Sequence, residues 1–183
     1  PDFRYADLES SLIDYVHYKK KDLDFYLVRN TTNAWVTRTF EFRQRDKAVE
    51  LWDPITGNVL QAPISSHDGQ YTRLPFTLPP YGSLFVVFRE GSAPAPFATV
   101  SSSGDNPPLM SYTDKGILFL EEGTFALEGG DESHVVEKRI EVQNITGPWE
   151  VAFPENRGAP ESATFDEDFT EGKVKITRIP SLL

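Results

Sequence analysis

The sequence predicts an all-β fold of two antiparallel β-sandwich units, and three observations lead to that prediction. Segments in which β-branched and aromatic residues alternate with polar ones recur at a spacing of about 8–12 residues, which is typical of sandwiches. Clusters of Gly, Pro, Asn and Asp separate these segments. Only residues 7–15 have the character of a helix, so we expect at most one short N-terminal helix.

Six strands are predicted in the first half of the chain. The turn sequence Asp53-Pro54-Ile55-Thr56-Gly57 and the pair Asp68-Gly69 each mark a hairpin. Residues 82–88 are mostly apolar without alternation, which is typical of a strand buried on both faces. The predicted strands are 23–28, 35–43, 48–52, 58–61, 71–78 and 82–88.

A change of composition separates this half from a second β unit. Residues 92–108 are rich in Ser, Pro and Gly, which is typical of a linker or loop. We therefore expect a β-sandwich domain at 1–91, a linker or loop at 92–108 and a second β unit at 109–183. The strand-like segments beyond the linker are 116–121, 124–127, 135–142, 149–153 and, more weakly, 173–179.

Composition argues against several classes of function. The 183-residue chain carries a net charge of −10 and one short basic run, Lys19-Lys20-Lys21, so we expect neither nucleic acid nor membrane as a partner. It contains no cysteine, which excludes disulfides, thiolate catalysis and thiolate metal sites. No apolar run approaches the roughly 20 residues that span a bilayer. No signal peptide is visible in the sequence.

Carboxylates are plentiful, yet they form no recognisable catalytic or metal-binding pattern. Hydrolysis of a glycoside with inversion needs two carboxyl groups about 6.5–9.5 Å apart, and no acidic pair here follows a strand as in a barrel enzyme. The three histidines have no paired spacing, and the acidic run 166–168 lacks the alternating ligands of a calcium loop. We therefore expect no catalytic residue and no metal site, with the acidic runs facing water.

Four residues are candidates for binding a carbohydrate substrate: His17, Trp52, Asp53 and Tyr81. Aromatic rings stack on the C–H faces of sugars, while carboxylates bind hydroxyl groups. Packing of Trp52 against its own turn is an equal alternative, and a histidine in a strand is more often a structural hydrogen-bonding residue. The other two tryptophans, at positions 35 and 149, lie within predicted strands and are expected in the core.

Several segments of the chain also carry a family resemblance. In their order and spacing they resemble the C-terminal region of family 106 glycoside hydrolases, the bacterial α-L-rhamnosidases. The resemblance covers about residues 1–90 and 140–165. The matching segments are Ile13-Asp14-Tyr15-Val16-His17, Asp24-Phe25-Tyr26-Leu27-Val28-Arg29-Asn30, Glu50-Leu51-Trp52-Asp53-Pro54-Ile55-Thr56-Gly57, Leu78-Pro79-Pro80-Tyr81-Gly82-Ser83, and Ile145-Thr146-Gly147-Pro148-Trp149-Glu150-Val151-Ala152-Phe153 with Gly158-Ala159-Pro160.

The resemblance implies a parent enzyme whose catalytic (β/α)8 barrel lies outside this chain, with inverting hydrolysis by two carboxylates and calcium at the substrate. This chain would then have no cofactor of its own, and its partners would be the parent catalytic barrel domain and carbohydrate. Residues 109–183 would begin a galactose-binding-like sandwich that is shorter than in the family after Phe165. The implied location is the periplasm or the extracellular space of a bacterium.

The first hypothesis is therefore a non-catalytic accessory region that braces a glycoside hydrolase and contacts carbohydrate. A free-standing carbohydrate- or protein-binding β-sandwich module is the alternative. A complete small enzyme is the third, and the lack of an acid, base or metal constellation disfavours it.

Overall fold

The computed structural model describes residues 1–5, 12–91, 95–104, 106–130, 132–140, 147–155, 158 and 161–165. Their regular structure consists of antiparallel β-strands without a helix, which confirms the all-β prediction. Packing divides the chain into two compact units, residues 1–140 and 141–183. The sequence-based division into 1–91, 92–108 and 109–183 stays a prediction. None of the described segments is a helix long and apolar enough to cross a membrane.

Nine strands of the first unit form two sheets. The five-stranded sheet has the order β2-β3-β9-β5-β6, and the four-stranded sheet has the order β1-β4-β8-β7. The strand bounds are β1 Phe3–Tyr5, β2 Ile13–Lys20, β3 Leu23–Asn30, β4 Val36–Phe42, β5 Lys47–Trp52, β6 Val59–Gln61, β7 Ser66–His67, β8 Thr72–Leu78 and β9 Ser83–Glu90.

The main core lies between these two sheets and is dominated by aromatic rings. Phe40 stacks on Phe76 with ring centroids 4.2 Å apart, and Phe42 contacts both Tyr26 and Phe88. All five of these side chains are at most 2% exposed. Packing of such rings across facing sheets is the expected source of stability for a sandwich that has no disulfide.

A second, smaller core lies on the other side of the four-stranded sheet, still within residues 1–140. Its buried side chains are Ile64, Met110, Phe119, Phe125 and Leu127. The backbone N–H of Met110 donates to Thr77 Oγ1 on β8 at 3.1 Å, which joins this core to the sheet. Its strands are β10 Thr99–Ser101, β11 Met110–Thr113, β12 Gly116–Phe119, β13 Gly123–Gly129 and β14 Glu132–Lys138.

The described part of the second unit is a hairpin of β15, Trp149–Ala152, and β16, Ser162–Phe165. The predicted strand 173–179 and the acidic run 166–168 lie outside the described residues.

Most predicted strands are present within a few residues of their expected bounds. The hairpin around Asp53–Gly57 joins β5 to β6, and β9 is buried on both faces at Val86, Val87 and Phe88, as expected. The predicted helix at 7–15 is wrong for residues 13–15, which begin β2, and residues 6–11 lie outside the described part. Ile13, Tyr15 and His17 lie on one face of that strand. Their spacing of two residues is a strand signal, and the helix prediction did not take it into account.

Two predictions about tryptophan burial are wrong. Trp35 is 52% exposed because it precedes β4, at the end of a loop. Trp149 is 45% exposed, since its hairpin is a two-stranded sheet in the described residues.

Candidate functional site

His17 lies on the side of the five-stranded sheet that faces the four-stranded sheet. Its Nδ1 is 2.7 Å from Asp2 Oδ2, and its Nε2 is 2.9 Å from Asp24 Oδ1. Lys47 Nζ donates to the other oxygen of Asp24 at 2.6 Å, and the ring of Tyr26 stacks on the imidazole at 4.1 Å. An imidazolium donates from both ring nitrogens, so it is the form that fits two ionised carboxylates.

The electrostatics of this network favour charged carboxylates. Burial acts to raise the pKa of Asp24, but hydrogen bonds from Lys47 and His17 outweigh it and hold the pKa below its ordinary value. Burial likewise opposes ionisation of Asp2, yet hydrogen bonds from Tyr15 and His17 lower its pKa. These contacts link the N-terminal segment to β2 and β3, so they give His17 a structural role. A substrate-binding role for His17 stays a prediction.

Trp52 lies on the opposite side of the same sheet. Register places it beside Phe85 and Val59, and its indole N–H donates to Glu50 Oε2 at 2.8 Å. The guanidinium of Arg89 lies 5.5 Å from the centre of the Trp52 ring. These contacts fix the indole within the outer face of the sheet, while leaving it partly exposed.

The side chain of Asp53 is engaged by its own turn. Its Oδ1 accepts a hydrogen bond from the backbone N–H of Ile55 at 2.8 Å, and its Oδ2 accepts one from Thr56 Oγ1 at 2.9 Å. Gly57 closes the turn with a φ of 75°, a conformation that favours glycine. The turn therefore satisfies much of the hydrogen-bonding capacity that Asp53 would offer to a sugar.

Tyr81 is 68% exposed at the tip of the loop before β9. Its backbone N–H donates to Thr32 O at 3.0 Å, and the N–H of Gly82 donates to Pro79 O at 2.9 Å. The buried amide of Asn30 holds this loop and its neighbour together, because its Nδ2 donates to Pro79 O at 2.8 Å and to Ala34 O at 2.7 Å.

The four candidate residues therefore do not form one site. His17 faces the main core and Trp52 faces away from it, on two sides of one sheet. The carbohydrate role of each of the four stays a prediction.

The outer face of the five-stranded sheet is unusually apolar. We use that name for the side of the sheet away from the main core. Val16, Tyr18 and Val59 are 64%, 61% and 52% exposed, respectively. They flank a centre formed by Phe25, Leu27, Phe85, Val87 and Trp52, which register places side by side on β3, β9 and β5.

Sequence reasoning missed a groove in the first unit. It has a volume of about 460 Å³ and is formed by the start of β4, the loop before β11 and the start of β13. The exposed Trp35 lines it, together with Asn106 and Glu121. The turn sequence 30–33 just before Trp35 is the signal in the sequence that indicates an exposed position. We call this feature the Trp35 groove.

Within the described residues, no group of three or more His, Asp or Glu side chains is arranged to hold a metal ion. The exposed acidic residues Glu121, Glu122 and Glu132 face water, as expected.

Comparison with known proteins gives two similarities, whereas no family model matches the chain. Over 130 residues, which are 70% of this chain, it is 26% identical to the "Putative beta-glucuronidase" of Formosa agariphila. Its fold is similar to part of a rhamnosidase from Novosphingobium sp. PP1Y, with a TM-score of 0.58 and 24% identity over 91% of this chain.

The chain spans only a small part of either protein, 11% of the first and 12% of the second. Both are named as glycosidases, so the chain is similar to a region that occurs in proteins of that kind.

Proposed function

We propose that this chain is a non-catalytic accessory region of a glycoside hydrolase of the α-L-rhamnosidase type, positioned C-terminal to the catalytic barrel as in family 106. Its role is to brace the catalytic domain and to contact carbohydrate. Calcium and the catalytic carboxylates belong to the parent catalytic domain, and the parent acts in the bacterial periplasm or outside the cell.

The observation that carries this proposal is the apolar outer face of the five-stranded sheet. In a sandwich that stands alone in water, the outer side of an antiparallel sheet is usually polar. Here Val16, Tyr18 and Val59 remain exposed around the buried Val87. A contiguous apolar face of this kind is typical of a surface that packs against another protein surface.

The occupant we assign to this face is the catalytic domain of the same polypeptide. The two similar glycosidases are about eight to nine times as long as the part that this chain matches, since that part is 11% and 12% of their lengths. A domain joined to this region by the chain backbone has a high effective concentration at the face, so a modest apolar contact suffices for stable docking.

Paired substitutions test this assignment. The double variant Val16→Ser with Tyr18→Ser removes apolar side chains from the outer face, and Val135→Ser on β14 is the matched control, because Val135 is 70% exposed. In the isolated chain we expect each to change stability by no more than about 0.5 kcal/mol, because the side chains are exposed.

In the natural full-length polypeptide we expect a different result. The double variant should lower the melting temperature of the whole enzyme and speed its proteolysis near this region, while Val135→Ser has no effect. Equal behaviour of the two variants in the full-length polypeptide would refute docking through this face.

Two further observations test the alternative functions. A natural reading frame with no further domain would favour the free-standing binding module. Hydrolysis of an aryl glycoside by the isolated chain would refute the non-catalytic role.

A further inference from the structure

We infer that the Trp35 groove binds a neutral pyranose residue of a carbohydrate, with the Trp35 ring as the stacking surface. This inference rests on the proposed carbohydrate-related function, but it concerns a site separate from the outer face of the five-stranded sheet.

The Trp35 side chain is open to solvent. It is 52% exposed and lines a groove of about 460 Å³, which is within the usual size range of ligand sites. In the described part of the chain, its indole N–H has no hydrogen-bond acceptor, whereas that of Trp52 donates to Glu50. An open aromatic face with a free donor at its edge offers a sugar both stacking and a hydrogen bond.

Hydrogen bonds hold the backbone beside Trp35 in place. Asn30 is completely buried, and its Nδ2 donates to Ala34 O at 2.7 Å, directly before the tryptophan. Thr32 reinforces the same loop, because its N–H donates to Asn30 Oδ1 at 2.9 Å. A fixed loop reduces the entropy that ligand binding would otherwise cost.

The remaining walls of the groove are also fixed by packing and hydrogen bonds. Phe125 at the base of the groove is 1% exposed and stacks on Phe119, with ring centroids 3.9 Å apart. On another wall, Glu121 Oε1 accepts a hydrogen bond from the N–H of Leu109 at 2.8 Å. Thr37 Oγ1 pairs with Thr77 Oγ1 at 2.8 Å. The groove is thus formed before any ligand binds.

The polarity of the groove's lining selects the class of ligand. The described lining residues include hydroxyl, amide and carboxylate groups, contributed by Ser102, Ser103, Asn106 and Thr124 among others. This mixture of donors and acceptors around one aromatic ring fits the hydroxyl groups of a pyranose better than an apolar ligand.

The charge of the groove's lining favours a neutral sugar over an acidic one. Among the described lining residues, one cation, Arg38, stands against two anions, Glu121 and Glu122, so the local balance is negative. The whole chain also carries −10. A uronic acid would meet repulsion here, and a neutral sugar would not.

A calorimetric titration of the purified 183-residue chain tests the inference. The probes are methyl α-L-rhamnopyranoside, methyl β-D-glucopyranoside and sodium D-glucuronate. We expect saturable millimolar binding of at least one neutral glycoside, and weaker binding of glucuronate.

Three variants locate the site. Trp35→Ala should weaken binding by about tenfold, since it removes the stacking surface, and Trp35→Phe should retain most of the affinity. Trp149→Ala is the matched control, because Trp149 is 45% exposed and does not line the groove, and it should bind within about twofold of the wild type. Thermal unfolding of each variant checks that it folds. Should Trp35→Ala fail to fold, Asn106→Ala provides the loss of binding instead.

Three outcomes would overturn the inference. The first is no binding of either neutral glycoside at about 100 mM, far above the millimolar range expected of a small ligand. The second is unchanged binding in a folded Trp35→Ala variant. The third is tighter binding of glucuronate than of both neutral glycosides. None of them bears on docking through the outer face, which the full-length variants test separately.

Discussion

The outer sides of the two sheets in the main sandwich differ sharply in chemistry. On the four-stranded sheet, Glu41 forms ion pairs with Arg4 and with Arg73, the latter at 2.8 Å, and Arg73 also pairs with Asp68 at 2.6 Å. On the five-stranded sheet, an apolar row crosses the equivalent side through Val16, Leu27, Phe85, Trp52 and Val59. The ion pairs Arg29–Asp14 and Arg89–Glu50 lie beside this row.

The outer sides of the two sheets therefore have different surroundings, although both sheets contribute side chains to one core. The four-stranded sheet balances its charges internally and also supports the second core, through Met110 and Thr77. The five-stranded sheet has a dry centre at Val87 and an exposed apolar border. That difference is the physical basis for assigning the docking role to one sheet alone.

The largest expected effect comes from placing a charge at the centre of the outer face. Val87→Asp should destabilise the isolated chain by about 3 kcal/mol or more, because Val87 is fully buried and the register places it between Phe25 and Glu50, so the new carboxylate would lose its water beside another carboxylate. Chemical denaturation measures the free energy of unfolding. The control Val135→Asp should change it by less than about 0.5 kcal/mol. A loss below about 1 kcal/mol for Val87→Asp would show that the outer face is not a dry apolar layer.

The next effect concerns the charge network on the inner side of the same sheet. Asp24→Asn should cost about 2–4 kcal/mol at pH 7, because it removes the buried carboxylate that Lys47 and His17 share. The same network predicts loss of stability in acid. The folded-state pKa values of Asp2 and Asp24 are lowered, so their contribution is present above the ordinary aspartate pKa of 3.8 and is lost as pH falls through the lower folded values.

Denaturation midpoints between pH 7 and pH 2 measure this dependence. The wild type should lose more stability below pH 4 than Asp24→Asn does. Parallel acid profiles for the two proteins would mean that folding leaves the pKa of Asp24 at its ordinary value, which would contradict the network.

Alkaline pH gives a related test at Tyr26, which stacks on His17. Burial raises the pKa of Tyr26 to about 12, against a hydrogen bond from Gln44 that lowers it. Its contribution is therefore complete below the ordinary pKa of 10 and is lost as pH rises through about 12. Ultraviolet titration of tyrosinate should show Tyr26 and Tyr112 ionising together with unfolding, because burial also raises the pKa of Tyr112, and Tyr26→Phe should reduce the amplitude of that step by one tyrosine. An unchanged step in Tyr26→Phe would assign it elsewhere.

The smallest effect is expected on the polar side of the four-stranded sheet. Burial acts to raise the pKa of Glu41, but hydrogen bonds from Arg73 and Arg4 lower it. Glu41→Gln should cost only about 0.5–1 kcal/mol, because these arginines are partly exposed and solvent screens the pairs. The cost should shrink in 1 M salt, where the Debye length is about 3 Å, whereas the cost of Val87→Asp should not. Equal salt dependence would erase the contrast between the two sheets.

The sequence was informative about strands and turns because these depend on neighbouring residues. Alternation identified β4, the Asp53–Gly57 turn identified its hairpin, and the unbroken apolar run predicted that β9 is buried on both faces.

Long-range pairing was beyond the sequence. Asp2 reaches His17 only because the three-residue strand β1 pairs with β4, and so short a strand has no recognisable pattern. The Trp35 groove joins segments that lie more than sixty residues apart, from Trp35 to Asn106, so its members could not be grouped by spacing. Asn30 illustrates the same limit, since its role as a buried bridge between two loops leaves no local signature.

The most direct test of the central claim is radical footprinting of the outer face in two contexts, the isolated chain and the natural full-length polypeptide. We expect labelling of Val16 and Tyr18 to fall severalfold in the full-length polypeptide, while labelling of Val135, which is similarly exposed at 70%, stays the same. Equal labelling of Val16 and Tyr18 in both contexts would contradict the claim that this face docks against the catalytic domain.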